Sequence, residues 1–166
     1  MTNFIKLTHD VLDVGAVTSL VSDASTGAIS IFVGTTRNHF DGKKVLRLFY
    51  EAYEPMAVKK MEELCVELRQ KWSSSLHNIA IYHRLGEVPP SEASVVIAVT
   101  SQHRKASLDA VAYAIDALKT TVPVWKKEIY EDGDAWKANP ECSWAFPEKI
   151  DNPPSTDDFV SEHEKQ

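Results

Sequence analysis

Apolar positions along this chain change their spacing several times, and each change marks a predicted element. Residues 4–8 alternate as a short strand, and 13–21 carry helical spacing with Asp13 as the N-cap. Gly27 opens Ala-Ile-Ser-Ile-Phe-Val-Gly34, a strand rich in β-branched residues. The polar, turn-prone stretch 35–44 predicts a mobile loop. A strand follows over 45–53, with Leu46, Leu48 and Tyr50 on one face. Pro55 is placed to start a long helix through Trp72, whose buried stripe is Val58, Met61, Leu64, Cys65, Leu68 and Trp72. Strands over 78–85 and 93–101 flank Gly86-Glu-Val-Pro-Pro-Ser-Glu. The last helix, 104–118, is apolar at Leu108, Val111, Ala112, Ile115 and Leu118. Pro123 prevents its continuation, because proline lacks an N–H and clashes with the preceding turn. The segment 124–130 then alternates as a strand.

The resulting order, β-α-β-β-α-β-β-α-β, mixes hairpins with crossovers and predicts an α+β fold: a mixed, mainly antiparallel sheet with about three packed helices. Past about Trp136 the pattern fades into Pro, Asp, Glu and Ser. The expected division is a folded domain over 1–139 and an acidic, Pro-containing tail over 140–166, poorly ordered or folded only against a partner.

Charge sharpens that division. The net charge of −6 is uneven: residues 128–166 hold 11 acids and 3 Lys/Arg, whereas 1–127 hold 13 acids and 15 Lys/Arg. A slightly basic body lacks the broad basic footprint of a nucleic-acid binder, yet leaves room for a small cationic pocket. No apolar run approaches the roughly 20 residues that span a bilayer, and the first residues read as neither signal nor transit peptide. A cytosolic protein is expected, without membrane or nucleic-acid partners. Cys65, on a helix, and Cys142, in the tail, form neither a disulfide framework nor a metal spacing, and His9, His39 and His77 share no ligand spacing either. No metal site is expected from these spacings.

The chemistry concentrates in three polar clusters at element ends. Gly34-Thr35-Thr36-Arg37-Asn38 follows a strand, Ser101-Gln-His103-Arg104 sits where a strand becomes a helix, and Lys119-Thr-Thr-Val-Pro-Val-Trp-Lys126-Lys127-Glu128 turns that helix into a strand. On a strand, Lys126, Glu128 and Tyr130 share one face while Trp125, Lys127 and Ile129 take the other, so Lys119 and Lys126 can converge with a carboxylate. The same residues have a purely structural reading. Lysine is favoured in the last helical turn by the dipole, and a charged run on an edge strand discourages aggregation. His103 can equally serve the exposed helix start.

Taken together with Tyr50-Glu51-Ala-Tyr-Glu-Pro-Met56, His83-Arg84-Leu-Gly86 and Gly86-Glu-Val-Pro-Pro-Ser-Glu-Ala-Ser-Val, these clusters resemble the large, catalytic subunit of molybdopterin synthase over about residues 4–139. The resemblance implies a sulfurtransferase of molybdenum cofactor biosynthesis, acting on cyclic pyranopterin monophosphate and building its dithiolene, with no metal or bound organic cofactor for the step itself. It also implies a small ubiquitin-like partner whose Gly-Gly C-terminus carries the sulfur as a thiocarboxylate, and a homodimeric core that makes a heterotetramer. Lys119 is then expected as the main catalytic amine and Lys126 as its assistant. Thr35, Thr36, Arg37, His103, Arg104, Lys127 and Glu128 join both lysines in binding substrate, with Lys127 the least secure because it points to the opposite strand face. Arginine's planar fork suits phosphate, and a helix start favours an anion. His83, Arg84 and Glu87 are expected at a strand end, in subunit packing. The competing expectation is a non-catalytic module that holds an anion or a ubiquitin-like tail.

Overall fold

The computed structural model describes residues 1–131 and 133–137; the expected tail, 140–166 with Cys142, lies outside them. The elements are β1 (Asn3–Thr8), α1 (Val14–Val21), β2 (Ala28–Thr35), β3 (His39–Phe40), β4 (Lys43–Ala52), α2 (Glu54–Trp72), β5 (Leu76–Arg84), β6 (Gly86–Val88), β7 (Ala93–Ser101), α3 (Arg104–Thr121), β8 (Val124–Tyr130) and β9 (Gly133–Lys137). The nine expected elements are all present, in order. The polar loop after β2 also contains the two-residue strand β3, and β6 and β9 are further short additions.

Two sheets organise the chain. The first has the order β1-β5-β7-β2, in which β1 and β5 run parallel and the other neighbours antiparallel. Its central strands are covered on both faces, which explains why β7 reads Ser-Val-Val-Ile-Ala-Val without polar alternation. Ile79, Ile81, Val95, Ile97 and Val99 meet α2 and α3 on one face. Ala80, Val96 and Ala98 meet Leu12, Val17 and Val21 on the other. Asp13 caps α1 as expected, accepting from the Ala16 N–H at 2.9 Å. The buried Asn78 amide donates to the Val21 carbonyl at 3.1 Å and pins the other end of α1 to the sheet. The second sheet is built on β4, with β3 and β6 along one edge and β8 then β9 along the other.

Two faces differ from the periodicity reading. In α3 the buried positions are Ser107, Ala110, Val111, Ala114 and Leu118, whereas Leu108 is 57% exposed. The packed stripe is rotated toward small residues because α3 lies close on β2, where the Ser30 and Ser107 hydroxyls hydrogen-bond at 2.8 Å in the buried contact. In β4 the register with β8 shifts between Val45 and Arg47, so Val45 is buried and Leu46 is 39% exposed. The extra residue of a bulge sends neighbouring side chains to unexpected faces. Leu48 and Tyr50 keep the expected side and pack together with Val45 and Tyr130.

The α2 stripe is as predicted at Met61, Leu64, Cys65 and Leu68, with Ala57 completing it while Val58 and Trp72 are only half-buried. Burial pushes the Cys65 thiol up to about 12, the condition of a packed, unreactive cysteine. Two leucines in different settings test this packing. Leu68→Ala, at a site with no exposure, is expected to lose about 2–5 kcal/mol in urea unfolding. Leu108→Ala is expected to stay within about 0.5 kcal/mol of the parent.

Candidate functional site

The two sheets meet at the C-terminal end of α3, and the seam encloses a cavity of about 270 Å³. Its apolar wall comes from Phe32 of β2, Val95 of β7, Ile115 and Leu118 of α3, and Val122 and Val124 leading into β8. Its polar groups are Thr35, Tyr50, His83, Ser94, Lys119 and Lys126. A mostly apolar cleft with a few convergent polar groups is the usual build of a small-molecule site. Gly34 allows the wall to close, because a Cβ there would lie 2.6 Å from a Val95 methyl.

The sequence directs both amines to this place. Lys119 occupies the last turn of α3, where the helix dipole favours a cation. The chain leaves the helix through Val122, whose N–H still bonds the Leu118 carbonyl at 3.0 Å, and Pro123 commits it to β8. Lys126 stands directly across from Tyr50 in the β4–β8 ladder. Its ammonium lies 3.5 Å from Glu128 Oε1. Glu128 is 4% exposed and also accepts a hydrogen bond from the Tyr130 hydroxyl. A buried carboxylate thus orients Lys126 from behind, on the strand face the alternation predicts.

Lys127 is on the other face, 2.6 Å from Asp134 across the β8–β9 pairing, and does not line the cavity. Thr35 lines the rim. Thr36 is buried, its hydroxyl without a hydrogen-bond partner among the described residues, while its N–H is held by the Glu92 carbonyl at 3.2 Å. Arg37 is exposed on the following loop with its guanidinium 5.8 Å from the Phe40 ring centroid. It is next to the site and not in its wall. His103 and Arg104 are exposed at the opposite end of α3. Fifteen residues of helix separate Arg104 from Lys119, a distance of about 22 Å. One chain therefore does not bring this pair to the cavity.

Tyr50, His83 and Ser94 also line the cavity, although none of them is among the site residues expected from the sequence. Tyr50 is held in a largely buried setting that raises its phenol pKa, chiefly through desolvation, with its hydrogen bond to Ser94 opposing and the Glu128 charge adding to the rise. Ser94 in turn donates to the Gly34 carbonyl at 3.1 Å. His83 was expected in subunit packing, yet it is buried in the cavity wall, 5.0 Å from Tyr50 in an edge-on ring contact. Its signal was available: Ile79, Ile81 and His83 alternate in phase on the core face of β5. Arg84 projects to the other face and pairs with Glu92, and Glu87 pairs with Arg47 at 3.0 Å. Among the described residues no His, Cys, Asp and Glu group has the geometry to hold a metal ion, and no helix is long and apolar enough to cross a membrane.

Burial holds the His83 imidazole down to about 4, against 6.5 for a free histidine. The folded chain therefore favours neutral His83, and the unfolded chain takes up its proton first as pH falls. Stability from this group is complete above pH 6.5 and is lost as pH falls toward 4, on the order of 3 kcal/mol. Urea unfolding at pH 7 and pH 4.5 should show this acid loss in the parent and a smaller one in His83→Gln.

Known proteins share this architecture. The family model described as MoaE protein matches residues 7–121. Molybdopterin synthase catalytic subunit 1 of Aedes aegypti is 60% identical over 146 residues, covering 86% of this chain and 94% of that protein. The crystal structure of molybdopterin synthase from Staphylococcus aureus superposes with a TM-score of 0.75 at 37% identity, over 80% of this chain and 95% of that one. A Helicobacter pylori complex of subunits 1 and 2 of molybdopterin-converting factor shares the fold, with a TM-score of 0.67 at 19% identity over 84% and 92% of the two chains. With the family model matched across most of the folded chain and that identity spanning nearly the whole relative, this chain belongs to the MoaE family of molybdopterin synthase catalytic subunits.

Proposed function

We propose that the chain transfers sulfur to cyclic pyranopterin monophosphate, taking it from the C-terminal thiocarboxylate of a small ubiquitin-like partner and forming the dithiolene of molybdopterin. The observation that carries this reading is the placement of Lys119 and Lys126 on one cavity at the seam of the two sheets. One cation would suffice to anchor an anion. Two amines from different elements suit a reaction with two anionic participants, a thiocarboxylate and a cyclic phosphate.

Lys119, at the end of α3, neutralises the thiocarboxylate and stabilises the negative charge that develops as sulfur attacks carbon. Lys126, oriented by Glu128, holds the phosphate and assists as the cyclic ester opens. Thr35 supplies a hydroxyl at the rim, and Arg37 on the adjoining loop is within the same region to reach a phosphate with its planar fork. The Thr36 hydroxyl, without a partner among the described residues, gives this end of β2 a further hydrogen-bonding group. Lys127, tied to Asp134, contributes at most through the sheet that carries Lys126. His103 and Arg104 serve such a cavity only from a second copy, which agrees with a homodimeric core carrying one small subunit at each end. The Helicobacter pylori relative, a complex of two different subunits, supports the partnership with a small subunit.

The test is single-turnover conversion of cyclic pyranopterin monophosphate with a thiocarboxylated small subunit. The parent chain is expected to form dithiolene. Lys119→Ala is expected to lose at least about a hundredfold in rate, the scale of removing one preorganised electrostatic contact, with unfolding and partner binding unchanged. Lys126→Ala should lose less at saturating substrate and more at low substrate. Tight partner binding by the parent without product would leave only a binding module.

A further inference from the structure

The cavity holds two ammonium groups, which only donate hydrogen bonds. The substrate proposed for it carries polar hydrogens as well as an anion, and amines cannot read those. The hydroxyls of Thr35, Tyr50 and Ser94 can donate or accept, whereas His83 offers an acceptor whose role is fixed. Its Nδ1 lies 2.8 Å from the Arg84 carbonyl, an acceptor, so Nδ1 carries the ring proton. The lone pair is therefore on Nε2, and the ring lines the cavity. Three features hold it there: the Arg84 carbonyl, the edge-on Tyr50 ring at 5.0 Å and 75°, and a place inside β5, which is paired on both sides.

We infer that His83 is a substrate-recognition residue, whose Nε2 accepts a hydrogen bond from an N–H or O–H of the bound pterin. The inference rests on the proposed sulfur transfer for the identity of the ligand. It assigns a role in binding and discrimination, and none in proton transfer. Burial already opposes the imidazolium strongly, and Lys119 and Lys126 line the same cavity. An acceptor buried in a site also rejects molecules without the matching hydrogen, because it would then be left unpaired.

The test uses the full chain with its thiocarboxylated partner. His83→Phe keeps a ring beside Tyr50 and removes the acceptor. It is expected to raise KM for cyclic pyranopterin monophosphate about tenfold or more, while the single-turnover rate at saturation stays within about threefold. His83→Gln, whose side-chain carbonyl accepts, should recover most of the affinity. A residue with only a structural role would not give that split or that rescue. An unchanged KM in His83→Phe overturns the inference, and so does a loss confined to the saturating rate.

A second measurement needs no variant. In the 15N spectrum of the parent chain, His83 Nε2 should move upfield when cyclic pyranopterin monophosphate is added, with Nδ1 nearly still. A static Nε2 on a chain that binds and converts substrate overturns the role of His83 and leaves the sulfur transfer standing. A moving Nε2 without turnover supports the role and counts against the transfer.

Discussion

The antiparallel pairing of β4 with β8 is the constraint on which the site depends. It sets Lys126 opposite Tyr50 and Glu128 opposite Leu48. That register turns the face carrying Lys126, Glu128 and Tyr130 toward the interior. A slip of one residue would exchange it for the Trp125, Lys127 and Ile129 face. Glu128 fixes the register energetically as well as geometrically. It is nearly inaccessible, and its partners are the Tyr130 hydroxyl and the Lys126 ammonium. With those partners missing, a carboxylate buried there would be strongly destabilising.

The first sheet supplies the fixed body against which this register acts. Its central strands β5 and β7 are packed on both faces and present His83 and Val95 to the cavity from a rigid base, with Phe32 added by the edge strand β2. Helix α3 links the two parts. Its buried face is small, which brings it close to β2, and its last turn delivers Lys119 to the seam. The short exit through Val122 and Pro123 then keeps Lys119 and Lys126 on one cavity although they belong to different elements. A site on element ends held by two sheets is well suited to preorganised electrostatics.

Much of this was legible in the chain. Alternation in 124–130 gave the correct faces for Lys126, Lys127 and Glu128, and Pro123 marked the turn that makes Lys119 and Lys126 neighbours. What escaped periodicity was decided by tertiary contacts. Leu108 fits an apolar stripe by spacing, but α3 rolls onto Ala110 and Ala114 because small side chains permit the close approach to β2. Leu46 fits a strand face until the bulge beside it shifts the alternation. For His83 the alternation with Ile79 and Ile81 already marks an inward face, but that this face borders a cavity depends on Tyr50 arriving from the second sheet. His103 and Arg104 share a helix with Lys119, but they stand at its start and Lys119 in its last turn, so the helix itself holds them apart.

The central claim is that substrate lies against Lys119 and Lys126, and it can be tested by amine footprinting. The chain would be treated with a lysine-acylating reagent with and without cyclic pyranopterin monophosphate, and each modified lysine quantified by mass spectrometry. Protection of Lys119 and Lys126, with Lys127 unchanged, is the predicted result. Equal protection of Lys127, or no protection of Lys119 and Lys126 by a substrate that binds, would contradict the account.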